Sequence, residues 1–328
     1  MLGFLLRRFV NYLVLILIAT GVGYLLATAT LNPRAKYDAQ QPHPPEAAIS
    51  RSLSDLNMNP ADPALTRLGR WAKGIVTHGD FGRTIDNTPV NDEFGRRVWV
   101  SLRLLLLGTL LGSAIGVAAG AYGAINQYRW SDHAITFGSF LVLSIPVFVL
   151  AVALKQPAIS LNHLTGTNLL LVQGEYQAGH GGWSPSALLD RLQHLVVPTV
   201  SLAFGLVAFY SRYQRATMLD VLGSDFLRTA RAKGLRRRRA LIRHGLRVAL
   251  IPMATFFSYQ FVLMFVGAIF TEKIFGWHGM GEWFIDSITK NDINSVSAVV
   301  LFSAVLVLLA GMLADLAYAA LDPRVRAR

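Results

Sequence analysis

Ser224-Asp225-Phe226-Leu227-Arg228-Thr229-Ala230-Arg231-Ala232-Lys233-Gly234-Leu235, followed by Arg236 to Arg239, is a charged hairpin slung between two long apolar runs. Ser224 is placed to cap a short helix, its hydroxyl accepting a free amide two or three residues further on. Asp225 then sits at the positive end of that helix. The helix runs from Asp225 to Lys233, and Gly234 takes the left-handed position that ends it. Phe226 and Ala230 share one face, Leu227 and Arg231 another. A helix this short is marginal alone in water and needs something to pack against. Two readings fit: an amphipathic helix held on the membrane surface by lipid, or a handle that a soluble partner grips and moves.

The rest of the chain sets that hairpin in a membrane. Of 328 residues, 53% are hydrophobic and 15% charged, where soluble proteins carry about 25% charged residues. About 20 apolar residues cross a bilayer as a helix, and six such runs are present: Phe9 to Leu31, Val98 to Ile125, Ala134 to Leu154, His194 to Tyr210, Val248 to Phe270 and Ser295 to Ala320. Arg7 and Arg8 ahead of the first run mimic a signal peptide, but the run is too long for one and further spans follow. The fold class expected is therefore an all-α integral membrane protein with six transmembrane helices. Its parts are a first helix (1–31), an extracytoplasmic loop or small subdomain (32–97) and a membrane core (98–328) that includes a cytoplasmic loop at 219–247.

Gly108, Gly112, Gly116 and Gly120 form a small-residue stripe on the second span, which lets another helix approach closely. Pro146 falls inside the third span and bends it. The segment from Lys155 to Gln193 reads as a Gly-rich polar loop.

Charge fixes the orientation. The formal net charge is +12, and much of the excess lies between Ser211 and Arg247, with Arg324, Arg326 and Arg328 in the tail. Each juxtamembrane cation gains about 1 kcal/mol near an anionic leaflet, so both termini and the basic loop face the cytoplasm. The same distribution accounts for the charge without nucleic acid. Cysteine is absent, which excludes disulfides and thiolate metal sites.

At Arg228 to Gly234 the chain resembles the Glu-Ala-Ala-x-x-x-Gly loop of bacterial ABC importer permeases, in the form used by the peptide-transport (oligopeptide and dipeptide) subgroup. Gly79-Asp80-Phe81-Gly82-Arg83-Thr84 resembles the subgroup's Gly-Asp-Leu-Gly-x-Ser element, and Leu143-Ser144-Ile145-Pro146-Val147-Phe148 its Ser-Ile-Pro-x-Phe helix. Ile274 to Gly281 resembles Phe-x-x-Pro-Gly-x-Gly with His278 in place of proline, and Leu321-Asp322-Pro323-Arg324 matches a terminal Leu-Asp-Pro-Arg. The order is the family's, over most of the chain beyond residue 55. Arg228 and Thr229 stand where the general motif has Glu and Ala, and the Pro-Gly-Asp-Pro segment usual after the first span is missing.

The resemblance implies a type I ABC importer permease fold in the bacterial plasma membrane, a transport subunit and not an enzyme. It implies a second homologous permease subunit, two ATPase subunits or one fused ATPase, an extracytoplasmic substrate-binding protein and a peptide substrate, with membrane lipid around the spans. Ser224 to Leu235 would then lie in a cleft of the ATPase. The chain has no Gly-x-x-x-x-Gly-Lys-Ser/Thr loop, so no cofactor is expected in it; ATP and Mg would be bound by the partner ATPases.

The alternative is a permease of the same family for another solute, such as a nickel complex or haem. An ion-coupled secondary transporter would carry ionisable groups within spans, where Arg103 and Asp315 are the candidates. An intramembrane hydrolase lacks support: there is no Gly-x-Ser-Gly or His-Glu-x-x-His, and the histidines fall in loops expected to be solvated. For a substrate path the residues singled out are Ser258, Tyr259, Gln260 and Met264 of the fifth span, with Ser144 and Pro146 marking a bend. Ordinary interhelical hydrogen bonding explains the same polar residues.

Overall fold

The computed structural model describes residues 2–177, 179 and 184–321, and the side chains of residues 2–6, 237, 238, 255 and 258 lie outside that description. The terminal Leu-Asp-Pro-Arg motif is therefore outside it from Asp322 onward. Apart from one isolated bridge, Arg83 to Pro89, the regular structure among the described residues is helical. In chain order the helices are α1 (Leu2–Thr30), α2 (Ala35–Asp38), α3 (Glu46–Asp55), α4 (Ala64–His78), α5 (Val90–Ile125), α6 (Trp130–Ser144) and α7 (Val147–Thr165). They continue with α8 (Pro185–Leu222), α9 (Asp225–Ala232), α10 (Arg237–Ala240), a π-helical turn (Leu241–Gly245), α11 (Leu246–Phe275), α12 (Met280–Thr289) and α13 (Ile293–Leu321).

Five helices are long and apolar enough to cross a bilayer, and a sixth joins them when the bent pair Leu241–Ala254 and Tyr259–Phe275 is taken as one span. The two arms of that pair meet at 59°. Pro252 lies in the first arm; lacking an N–H, it leaves a carbonyl one turn back unpaired and weakens the helix there.

The expected third span, Ala134 to Leu154, is corrected. Ile145 is extended (φ −97°, ψ 124°) ahead of Pro146, so α6 stops at Ser144 and Pro146 caps α7 instead of bending a continuous helix. Residues before proline avoid the helical region, and here that preference prevails. At 15 residues α6 is only about 22 Å long, short of a ~30 Å hydrocarbon core. The spanning helix is α7, which runs on to Thr165 through the segment expected to be loop. Lys155 is accommodated within it because its Nζ donates to the Ile274 carbonyl at 2.8 Å and lies over the Phe275 ring. The fourth span likewise begins earlier than His194: Ser184 accepts from the Ala187 amide at 3.2 Å and Pro185 occupies the first helical position, both strong start signals.

Compactness divides the chain into two units, Met1–Ser101 with His278–Leu308, and Leu102–Trp277 with Leu309–Arg328. The first unit has its own core, in which Tyr24 of α1, Ile49 and Leu53 of α3, Trp71 of α4, Ile85, and Ile293 and Val296 of α13 are buried together. The Gly79–Thr84 element is a loop tied down by side chains. Asp80 accepts from the Gly82 amide at 2.8 Å, and Asn294 donates to both the Leu56 and Arg83 carbonyls at 2.9 Å. Gly82 has φ +88°, and an added Cβ would lie 3.1 Å from the Asn294 amide nitrogen. Asp86 is hydrogen-bonded by Lys290 and Lys36, which holds its carboxyl below the usual range. Burial pushes the Asp292 carboxyl up, although it accepts from Ser295 and the Ile85 amide.

In the second unit α8 packs against α6, α7 and α11. The glycine stripe of α5 meets α8 directly: a Cβ on Gly116 would lie 2.7 Å from the Tyr210 Cβ and 3.0 Å from the Val207 carbonyl oxygen. The two backbones approach as closely as they do because nothing stands between them.

Candidate functional site

Helix α9 is held by one face. Leu227 is 4% exposed and joins Ala124, Met218, Val221, Ala240, Leu241 and Ala249 in a buried cluster, with Ala230 and Leu235 packed against it. The inner line is thus Leu227 and Ala230, spaced i, i+3. Phe226 turns outward at 41% exposure, and Arg228, Thr229, Arg231, Ala232 and Lys233 are exposed with it. The expected pairings of Phe226 with Ala230 and of Leu227 with Arg231 on common faces are therefore corrected. An i, i+4 pair lies 40° apart around a helix, enough for a narrow contact line to separate its members.

The start of the helix also differs from expectation. Ser224 sits at the N-cap with extended backbone (φ −76°, ψ 146°), but its hydroxyl donates back to the Val221 carbonyl at 2.6 Å instead of accepting an amide ahead. It ties α9 to the end of α8. Asp225 occupies the first turn as expected and pairs with Arg228, both side chains lying in solvent; such exposed pairs contribute little. Thr229 donates to the Asp225 carbonyl at 2.9 Å. The end matches the expectation. Gly234 has φ +87°, its amide donates to the Arg231 carbonyl at 3.0 Å, and the Leu235 amide donates to the Ala230 carbonyl at 3.2 Å. That double closure is the Schellman pattern, with Leu235 and Ala230 supplying its apolar contact.

Three of the residues singled out for a substrate path converge. Tyr259, Gln260 and Met264 of α11 line a cavity of about 420 Å³ with Leu202, Phe209 and Tyr213 of α8 and with Leu143 and Val147. Gln260 is 6% exposed and Tyr259 61%. Met264 is buried and accepts through its sulfur from the Thr109 hydroxyl. Phe209 and Tyr213 form an aromatic cluster with Phe256, in tilted and edge-to-face contacts with ring centroids 4.5–5.8 Å apart. Ser144 and Pro146 mark the α6–α7 break beside this cavity without lining it; the Ser144 hydroxyl donates to the Leu141 carbonyl at 2.7 Å. The Ser258 side chain lies outside the described residues. The chamber is apolar and aromatic with one amide and two phenols, a lining that takes varied organic groups while fixing few of them.

Two groups missed from sequence bear on this unit. Arg215 of α8 grips Asp132 with both ends of its guanidinium, at 2.5 and 2.7 Å, and Asp132 also accepts from the Tyr128 amide at 3.0 Å. The Arg215 hydrogen bonds hold the buried Asp132 carboxyl below the usual range. The i, i+83 separation gave no local signal. His194, expected to be solvated, is 2% exposed, because α8 starts early and places it facing inward; its Nδ1 donates to the Asp190 carbonyl at 2.8 Å. Of the two ionisable candidates for ion coupling, Arg103 is paired with Glu175, which Arg191 also binds. Asp315 is half-buried in α13.

Residues 112–327 match the model of the binding-protein-dependent transport system inner membrane component family. The chain belongs to this family. It is 50% identical over 326 residues, 99% of both chains, to the oligopeptide transport system permease protein OppB of Mycobacterium tuberculosis. It is 35% identical to the oligopeptide transport system permease protein AppB of Bacillus subtilis, covering 80% of this chain and 81% of that one. It is 31% identical to the glutathione transport system permease protein GsiC of Salmonella typhimurium, over 76% of each. Among solved structures, the inward-facing MetNI methionine ABC transporter aligns with a TM-score of 0.52 at 16% identity, covering 70% of this chain and 96% of that one. That likeness shows the fold alone, one found in an ABC transporter. This family member is thus a multi-pass protein of the inner membrane, and its close relatives are transport permease subunits.

Proposed function

We propose that this family member is a membrane-spanning permease subunit of an ATP-driven importer of peptides, oligopeptides or dipeptides. It forms half of a translocation pathway and receives motion through Ser224 to Leu235. One observation carries the reading: α8 and the bent pair Leu241–Phe275 each contribute both to the seat of α9 and to the lining of the cavity. Met218 and Val221 of α8 pack on Leu227, while Leu202, Phe209 and Tyr213 of the same helix face the chamber. Leu241 and Ala249, at the start of the bent pair, pack on Leu227, while Tyr259, Gln260 and Met264 on its second arm face the chamber. A displacement of α9 is therefore a displacement of the chamber's walls, and the bend between the arms gives the walls two positions to move between.

With the termini and the basic loop at 219–247 in the cytoplasm, the outer face of α9 (Phe226, Arg228, Thr229 and Arg231) is free for an ATPase cleft. ATP and Mg belong to the two ATPase subunits, or to one fused ATPase. A second homologous permease completes the pathway, and an extracytoplasmic binding protein delivers the peptide. Tyr259, Gln260 and Met264, flanked by the Ser144–Pro146 break, line the route. The 50% identity to an oligopeptide permease over the whole chain supports the peptide as cargo.

The test is helix disruption at the contact. Ala230→Pro removes a helical N–H and clashes one turn back, a cost of about 3 kcal/mol or more. In the assembled complex it is expected to abolish peptide-stimulated ATP hydrolysis while membrane insertion persists. A cysteine at Thr229, in a chain with Cys 0, is expected to crosslink to an ATPase subunit. Unchanged stimulation in the proline variant, or capture of lipid alone at position 229, refutes the coupling role.

A further inference from the structure

Two adjoining cavities in the second unit have complementary linings. One, about 780 Å³, is a groove walled by Ala118, Ala121 and Ile125 of α5, Met218 of α8, and Leu241 and Ile242 of the π-helical turn. The other, about 400 Å³, is lined by Arg236, Arg239, Ile242 and Arg243, with no carboxylate among the described residues that line it. Ile242, 58% exposed, is common to both. The arginines recur at i, i+3 and i+7, and all three are exposed. The only π-helical turn among the described residues, Leu241–Gly245, forms the joint; such insertions are costly to keep and concentrate at functional positions.

We infer that this paired cavity binds one anionic phospholipid, its phosphate on Arg236, Arg239 and Arg243 and an acyl chain along the groove beneath Ile242. A soluble anion has no use for the apolar half, and an apolar helix has none for three guanidinia with no carboxylate beside them among the described residues. An amphiphile with a negative head satisfies both. Basic pockets of this kind, beside the membrane on the cytoplasmic side, bind anionic headgroups. Met218 and Leu241 wall the groove and also pack on Leu227 of α9. Occupancy of the groove therefore stiffens the seat of α9, and phospholipid raises the coupling of ATP hydrolysis to transport. That effect rests on the function proposed above; the binding does not.

The experiment uses the complete complex with its partner subunits, reconstituted with phosphatidylglycerol or with phosphatidylcholine alone. Retained lipid is read by native mass spectrometry. The parent is expected to keep one phosphatidylglycerol through delipidation and no phosphatidylcholine. The triple variant Arg236→Gln/Arg239→Gln/Arg243→Gln is expected to lose affinity by about 100-fold, given the roughly 1 kcal/mol that each cation contributes near an anionic surface. The triple lysine variant keeps the lipid. Ala121→Trp, which fills the groove and leaves the arginines intact, releases it. Glycerol 1-phosphate, the head without the chain, does not compete.

Undiminished retention in the glutamine triple or in Ala121→Trp overturns the site. So does competition by glycerol 1-phosphate, which marks a free-anion site, or dissociation of an ATPase subunit from the glutamine triple, which marks a protein interface. Lipid retention without any effect of phosphatidylglycerol on peptide-stimulated hydrolysis leaves the site standing and refutes the link to coupling.

Discussion

Truncating Leu227 separates what holds α9 to its own protein from what its partner would grip. Leu227→Ala removes three carbons from a side chain that is 4% exposed. At about 0.8 kcal/mol per buried methylene the transfer loss is about 2.4 kcal/mol. The void adds to this, since Met218 and Val221 belong to the far longer α8 and cannot collapse onto an alanine, and buried Leu→Ala changes span about 2–5 kcal/mol. The transfer loss of about 2.4 kcal/mol alone weakens docking about 50-fold, at a factor of ten per 1.4 kcal/mol. With 8 residues α9 has little helicity of its own to fall back on. Amide exchange over residues 225–235 of the purified permease is therefore expected to accelerate by about 50-fold or more, and peptide-stimulated hydrolysis by the complex to fall with it. Phe226→Ala is the contrast. That ring is 41% exposed on the outer face, so exchange in the isolated permease stays at the parent rate while stimulation in the complex drops. If Leu227→Ala leaves exchange at 225–235 unchanged, the inner-face contact does not seat α9, and the lever argued from it is wrong.

Two further outcomes follow from contacts in the same unit. Gly116→Ala places a Cβ 2.7 Å from the Tyr210 Cβ and 3.0 Å from a backbone oxygen, so α5 and α8 must part; an overpacking cost of about 1–3 kcal/mol is expected as a lower unfolding temperature in detergent, and an unchanged temperature contradicts the packing. Asp132→Asn removes the carboxylate from a side chain that is 1% exposed and gripped by Arg215, with an expected loss of about 3 kcal/mol. Because the Asp132 carboxyl is depressed in the folded protein, its stabilisation is full above the ordinary carboxylate range, near pH 4, and is lost as pH falls through the lower folded value. The gap in unfolding temperature between parent and Asp132→Asn is thus expected to stay constant from pH 5 to 8 and to close only in acid; a gap that narrows between pH 6 and 8 refutes the pairing.

What was legible in the sequence was what is decided within a few residues. The span of α9 and its closure at Gly234 depend on one turn of backbone and on a residue with no Cβ, so they could be read directly. The glycine stripe of α5 was legible as a face, though not as a partner: only the fold shows that α8 fills it. The break of the third span at Pro146 follows from a local preference, whereas the limits misread at Lys155 and ahead of His194 have a long-range cause. Lys155 looked like a loop residue and His194 like the solvated edge of a span, because both are polar and their surroundings are set from far along the chain. Ile274 offers a carbonyl to Lys155 from 119 residues away, and the early start of α8 turns His194 inward.

The inner and outer faces of α9 show the limit more sharply. Its sequence offers Phe226 and Leu227 as equivalent apolar residues, one step apart, and nothing local ranks them. The choice is made by Met218, Val221, Ala240 and Leu241, which form a seat wide enough for one line of side chains. Leucine at i and alanine at i+3 fit that seat, and the bulkier phenylalanine is left in water. A protein that needed α9 only as packing would have little reason to leave its largest apolar side chain exposed beside Arg228 and Arg231. Under the function proposed above, the unburied ring belongs to the surface that the ATPase would grip, which is why the contrast between Leu227→Ala and Phe226→Ala is the one that decides the role of α9.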